Sequence, residues 1–448
     1  MFSLAETVAL LPIATMIHLI LGVMIIILVF KSQKSTSNER FAGLIIGWLL
    51  FTLGILWFFR TVIDYQFANE NITNDQYSES FLRFGNRSVW LITVALASIL
   101  PLVFPYPVIQ NTSVVLGSGA LIGVITIVLV PFGILTGFRF EGFNVLMYAL
   151  PFLIWIAVYL RYLFSEMLDD RGEDRLISSV AALMIISVFA EWMTYWMGIV
   201  TTQENHFTAR FTVEGWEVVP VGPNLPSTIA WQVGQAIFST SIIVLFSGEM
   251  WRIIRKGFSG VSLLTMTFFV LGILWFIFDY TQMGIIDSCV ETACVAMNET
   301  YLTWYIFTSQ IIRYLGVPLL FMYVILNFNL IETEGENVWF TRVLVLLMLL
   351  IVTSSIIELI QTVLPIPQMI TSALFAAAVV IFIGWEEKIT NSMIRRSESI
   401  SGTLLKLGEV REVKFEESQY RVFSIIIGIS LVLALMISFL ISLMEISI

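Results

Sequence analysis

Eight ionisable or amide side chains sit inside long apolar runs: Arg60, Asp64, Glu191, Gln232, Gln235, Asp279, Arg313 and Glu358. Burial in hydrocarbon is costly for such groups, so each needs a partner, a hydrated path or a task. Arg313 lies deepest, in Ser309-Gln310-Ile311-Ile312-Arg313-Tyr314-Leu315-Gly316-Val317-Pro318. Pro318 has no N–H, which removes the helical partner of the Tyr314 carbonyl. Gly316 lets a neighbouring helix come close. Glu191, Asp279 and Glu358 are the acids available to Arg313. Arg60 and Asp64, four apart, share one helix face, near enough to an interface for Arg60 to snorkel. Two chemistries fit this set. One is ion pairing that pins helices together; the other is a polar path, lined further by Ser354, Ser355 and Gln361. A desolvated carboxylate holds a proton more readily, which makes Glu191 and Glu358 the candidates for proton or cation coupling.

These residues require a membrane scaffold. Of the 448 residues, 58% are hydrophobic and only 12% charged, with mean hydropathy +0.90. That excludes an ordinary soluble globular protein. Apolar runs of about 20 residues recur, the length that crosses a hydrocarbon core as helix. The expected fold is an all-α polytopic membrane bundle of about 12 spans, counted to within about one. They cover 5–30, 41–65, 88–105, 114–137, 145–164 and 176–200, then 227–250, 261–283, 302–326, 343–364, 369–385 and 422–444.

With the N-terminus outside, inside loops hold 17 of the 23 Lys and Arg residues and outside loops hold four. The inside set includes Lys31, Arg40, Arg161, Arg252, Arg255 and Lys256. This bias orients the chain by the positive-inside rule, and an even span number puts both termini outside a plasma membrane. Cys289 and Cys294, the only cysteines, share an outer loop where a local disulfide is expected. The stretch from Phe207 to Pro220 alternates and turns near Gly215, the pattern of a small external β-hairpin.

Leu53-Gly54-Ile55-Leu56-Trp57-Phe58 recurs as Leu271-Gly272-Ile273-Leu274-Trp275-Phe276, each copy followed by Asp-Tyr, at Asp64-Tyr65 and Asp279-Tyr280. The copies fall in spans two and eight, which predicts a parallel six-plus-six repeat. The domains are then 1–202, a linker at 203–226, and 227–448. The glycines are read as close-packing positions between helices.

Two inner segments remain. Residues 166–175, from Glu166 to Arg175, contain paired acids that resemble the metal-binding aspartates of membrane prenyltransferases. The spacing is loose and there is no second acidic motif, so the segment reads as a solvated loop. Residues 388–421 mix basic and apolar side chains and are expected to form an amphipathic helix on the inner leaflet or to meet a cytosolic partner. His18 and His206 are the only histidines. A histidine-centred metal enzyme does not fit, no metal or cofactor is expected, and His18 reads as a packing residue.

Spans one to seven resemble a microbial rhodopsin in Arg83 or Arg87 followed by Trp90-Leu91-Ile92-Thr93, and in Trp192-Met193-Thr194-Tyr195. Span seven, at 227–250, carries no Lys for a retinal Schiff base. The resemblance thus implies at most a retinal-free sensory module over half the chain. Three readings follow. A transporter or channel for a small solute or ion requires a polar cavity at midplane. A sensor or scaffold requires a dry bundle with partner contacts. An embedded enzyme requires acids opening near Asp169. The bilayer is the expected partner, and nucleic acid is not.

Overall fold

The computed structural model of the chain describes residues 4–32, 37–68, 76–77, 79–136, 141–194, 196–197, 206–212, 215–221, 229–289, 314–328, 330–331, 342–347, 399–411 and 413–444, with single positions at 339, 349, 353, 373 and 377. At 4–10, 67–68, 141–148, 191–192, 206–232 and 278–289 only backbone is described within those ranges. Arg313, Glu358, Cys294, Ser354, Ser355 and Gln361 lie outside the described residues, as do most of the expected tenth and eleventh spans.

The helices are α1 (Leu4–Lys31), α2 (Ser37–Ala68), α3 (Phe81–Ile99), α4 (Ser113–Val124), α5 (Val130–Leu135), α6 (Glu141–Asp169), α7 (Gly172–Val188) and α8 (Ala190–Thr194). They continue as α9 (Ile229–Lys256), α10 (Gly260–Cys289), α11 (Val317–Asn327), α12 (Ile400–Lys406) and α13 (Glu417–Leu443). Strands β1 (His206–Thr212) and β2 (Gly215–Val221) pair antiparallel, with Thr212 opposite Gly215. A π-helical turn at Ile125–Leu129 joins α4 to α5 just before Pro131.

Among the described residues, eight helical stretches are long and apolar enough to cross a membrane. They are Leu11–Lys31, Ser37–Gln66, Phe81–Leu102, Ser113–Leu135, Ala149–Asp169, Val233–Lys256, Gly260–Ile277 and Glu417–Leu443. A helix suits this setting because it satisfies its own backbone. Hydroxyls follow the same rule: those of Thr15, Thr93, Thr126 and Ser187 each donate to the carbonyl four residues earlier. The π turn occupies the place where Pro131 denies the ladder an N–H.

Neighbouring helices pack in both directions. α1 packs antiparallel on α2, bringing His18 beside Trp57 and Val29 beside Arg40. α13 starts at the same end as α2 and runs parallel to it. Arg40 pairs with Glu417 at 2.9 Å, and Trp48 Nε1 donates to Ser424 Oγ at 3.2 Å. α6 and α9 also run parallel, since their partners advance together from Tyr159–Glu249 through Glu166–Arg252 to Asp170–Lys256. The ends of α1, α6, α9 and α12 carry Lys31, Arg171, Arg255, Lys256 and Lys406, which define a basic end of the bundle.

The two copies of the repeated hexapeptide pack differently. A side chain at Gly54 would meet Leu19 of α1 at 2.8 Å, whereas one at Gly272 would meet the Trp196 indole just after α8 at 2.1 Å. Both glycines allow close approach, as read from the sequence. In a six-plus-six repeat Gly272 should instead face α9, so the packing lends the repeat no support.

The described part of 388–421 departs from one continuous amphipathic helix. α12 spans a single short stretch followed by Gly408, in left-handed backbone at φ 70°, and no helix follows among the described residues before α13. Ile400, Thr403 and Leu404 are buried against the bundle. Glu39, itself buried at the start of α2, accepts from Ser399 Oγ at 2.7 Å and the Ser401 N–H at 3.2 Å. Arg161 pairs with Glu409. The segment is strapped to protein by these bonds because its apolar side chains find a protein surface to cover.

Candidate functional site

The largest charged cluster in the described interior forms where α6, α7, α9 and α10 meet at the basic end. α6 stops at Asp170, a residue in left-handed backbone (φ 52°), and α9 stops at Gly257 (φ 81°). Asp tolerates that conformation by its short polar side chain, and Gly carries no Cβ to clash. The two parallel helices therefore end level with each other. Ser259 starts α10 by accepting the Ser262 N–H at 3.1 Å.

Arg252 is at the centre and has no exposed surface, like Glu166 and Glu249. Its Nε and Nη2 donate to Glu166 Oε2 at 3.0 and 2.7 Å, and its Nη1 donates to Glu249 Oε1 at 2.5 Å. A further hydrogen bond goes from Nη2 to Ser178 Oγ on α7. Tyr159 Oη donates to Glu249 Oε1 at 3.1 Å, and Ser262 Oγ of α10 donates to Glu249 Oε2 at 2.5 Å. The guanidinium also lies 5.4 Å from the centroid of the Tyr159 ring, within cation–π reach. Four helices thus share one buried knot.

Lys256, one turn beyond Arg252, extends the knot toward water. Its Nζ is 3.1 Å from Glu166 Oε1 and also bonds Asp170. That hydrogen bond, and then the charge behind it, holds the Asp170 carboxyl below its ordinary value. Nearby, Ser165 Oγ donates to the buried Asp174 at 2.6 Å. Glu166 and Glu249 balance Arg252 and Lys256, so this core of the cluster is formally neutral. Neutrality matters because an uncompensated charge in an apolar interior costs several kcal/mol, whereas a fully bonded group offsets much of that.

The chemistry open to such a knot is proton and partner exchange. Glu249 takes donors from three helices, Tyr159 on α6, Arg252 on α9 and Ser262 on α10, so small helix shifts can trade one donor for another, while Glu166 takes Arg252 and Lys256 from α9 alone. Arg is the cation suited to that role, since its fork keeps several donors in fixed geometry.

The residues singled out from sequence are distributed otherwise. Arg60 and Asp64 do pair along α2, at 2.9 Å between Nε and Oδ1, with side chains 49% and 32% exposed. Gln235 is half-buried on α9. Glu191 on α8, Gln232 on α9, and Asp279 and Cys289 on α10 are described by backbone alone. Of the expected residues whose side chains are described, Arg60, Asp64 and Gln235, none belongs to the knot. Two assignments require correction. Arg252 was expected in an inside loop beyond a span ending at 250, but α9 continues to Lys256 and buries it. The solvated reading of residues 166–175 holds for Asp169, which pairs with Arg171 at about half exposure. It fails for Glu166 and Asp174, which are buried.

A local signal existed. Glu166 and Asp170 are spaced by four, as are Arg252 and Lys256, with opposite sign on two helices. No motif connects them, because the match requires knowing that α6 and α9 are neighbours.

No protein-family model, curated protein or solved structure matches the chain. No group of three or more His, Cys, Asp or Glu side chains suited to hold a metal occurs among the described residues.

Proposed function

We propose that this is an integral membrane protein that moves a small solute or ion, with the Glu166–Arg252–Glu249 knot closing its basic end. The observation that carries the reading is the knot itself. Ionisable groups inside a membrane bundle are expensive and mark pathways by default, and this set joins four helices through exchangeable bonds. In this reading the basic end faces the cytoplasm of a plasma membrane, both termini lie outside, and the chain crosses about 12 times.

The test is ion flux in liposomes carrying the purified chain. Arg252→Met opens the closure and is expected to raise flux over wild type, while Arg60→Met, on the far half-exposed pair, is not. Liposomes no leakier than protein-free ones, for wild type and Arg252→Met alike, would remove the reading.

One observation favours a second reading, a sensor or scaffold. One hollow, with a volume of about 360 Å³, is lined by Pro12, Ile13, Met16, Ile17, Ile20 and Leu347. A site for a polar solute would present polar groups. The same flux experiment separates the two.

A further inference from the structure

His18 lies in the membrane-crossing part of α1 with no exposed surface. Its Nδ1 is 2.8 Å from the carbonyl oxygen of Ala14, one turn earlier. A carbonyl only accepts, so Nδ1 carries the ring proton and the tautomer follows from this bond. Nε2 is then an unprotonated lone pair. It has no hydrogen-bond partner among the described residues. Most buried side-chain nitrogens have a hydrogen-bond partner, so among the described residues this one is an exception.

The surroundings make that lone pair distinctive. The ring meets Trp57 of α2 edge-on, with centroids 6.2 Å apart and planes at 74°. Trp57 in turn meets Tyr314 edge-on at 4.8 Å. The three aromatic side chains join α1, α2 and the turn leading into α11. Charged groups are few on the elements packed there. α1 has none between Glu6 and Lys31, and the nearest on α2 is Arg60, bonded to Asp64. Residues 314–327 hold only the neutral phenols Tyr314 and Tyr323, and 342–347 hold Arg342 at the basic end. Arg313, next to Tyr314, is outside the described residues.

We propose that His18 is a proton-binding site within the membrane, and that it carries the proton in the cycle of the transport reading on which this inference rests. The step is a simple transfer. Nε2 takes a proton from water, imidazole becomes imidazolium, and no other bond breaks. The cation would then sit at depth with a new N–H and no acceptor among the described residues. Protonation therefore favours any arrangement of α1, α2 and α11 that supplies an acceptor or water, and deprotonation favours the present one. That is a two-state element biased by one proton.

Because His206 is the only other histidine, a His206→Gln protein labelled with ¹⁵N-histidine gives a single ring to observe. In nanodiscs at neutral pH the expected spectrum is a neutral ring protonated at Nδ1. Acidification should convert it reversibly to imidazolium while circular dichroism stays constant. A ring that stays neutral until the protein unfolds, or one protonated at Nε2, would overturn the proposal.

The second arm follows proton flux into pyranine-loaded liposomes. His206→Gln should match wild type, and His18→Gln, checked as folded by its circular dichroism, should fall to the rate of empty liposomes. If wild type moves protons and His18→Gln does so equally, the proposal falls and the transport reading stands. If His18 titrates but no liposome carries ions, the proton site stands and the transport reading falls.

Discussion

Glu166 Oε2 accepts from both Nε and Nη2 of Arg252, at 3.0 and 2.7 Å, across 86 residues of sequence. Arg252→Met would leave Glu166 and Glu249 buried without their shared cation. Truncating one member of a buried pair typically costs about 3–5 kcal/mol. The unfolding free energy in detergent should drop by that order. Glu166→Gln, Glu249→Gln and Arg252→Met combined should recover much of the loss, since no bare charge remains. A triple variant as unstable as the single one would mean that packing, not charge, explains the damage.

Glu249 is held on opposite sides by Tyr159 and Ser262. Removing either hydroxyl leaves a buried acceptor short of one donor, at about 1–3 kcal/mol each. Tyr159→Phe and Ser262→Ala should each lower thermal stability. Because they serve different oxygens of one carboxylate, their combined effect should differ from the sum, which a double-mutant cycle measures.

The repeated hexapeptide offers a contrast. Gly272→Ala places a methyl group 2.1 Å from Trp196, whose Nε1 donates to the Phe269 carbonyl at 3.0 Å. The rigid indole must move and strain that bond, at about 1–3 kcal/mol for overpacking. Gly54→Ala meets Leu19, and the two nearest atoms belong to its flexible side chain, so a smaller loss is expected. Gly117→Ala meets nothing within 4 Å and should be neutral or stabilising by up to about 1 kcal/mol. Melting temperatures should rise in that order, from Gly272→Ala through Gly54→Ala to Gly117→Ala.

Asp170 supplies a pH prediction. Lys256 holds its carboxyl below the ordinary value of 3.8. A depressed carboxylate contributes stability above its unfolded value, and that contribution fades as pH falls through the lowered folded value. Wild type should therefore lose stability on acidification through this pair, and Asp170→Asn should show a flatter acid limb. Melting temperature followed from neutral pH downward would reveal it, and identical limbs would remove the effect.

The strap at 399–411 depends on Glu39. Glu39→Ala removes the acceptor of Ser399 Oγ and the Ser401 N–H at one stroke. Limited proteolysis near Gly408 should accelerate in that variant, with the membrane helices left intact. A cleavage rate equal to wild type would show that Arg161–Glu409 and the buried Leu404 hold the strap without it.

Much of the architecture was legible without coordinates. Hydropathy marks the first span as 5–30 and α1 runs Leu4–Lys31; it marks the second as 41–65 and α2 runs Ser37–Ala68. Such agreement arises because twenty apolar residues leave a helix as the favoured way to satisfy the backbone in hydrocarbon. The Arg60–Asp64 pair was legible for a similar reason, since its geometry is set by helical pitch alone. Hydropathy was less able to locate the end of α9. Glu249, Arg252 and Lys256 look like the polar margin of a span, because a window average treats every charge as a reason to stop.

The sequence by itself determined the class of this protein and the local pairs that one helix can make. Tertiary structure decided the rest. Arg252 is buried because α6, α7 and α10 surround the last turns of α9, and Gly272 faces Trp196 instead of a counterpart of Leu19. Those facts depend on which helices are neighbours. Neighbour choice is settled by side chains far apart in the chain that must fill one space, and no local pattern records it.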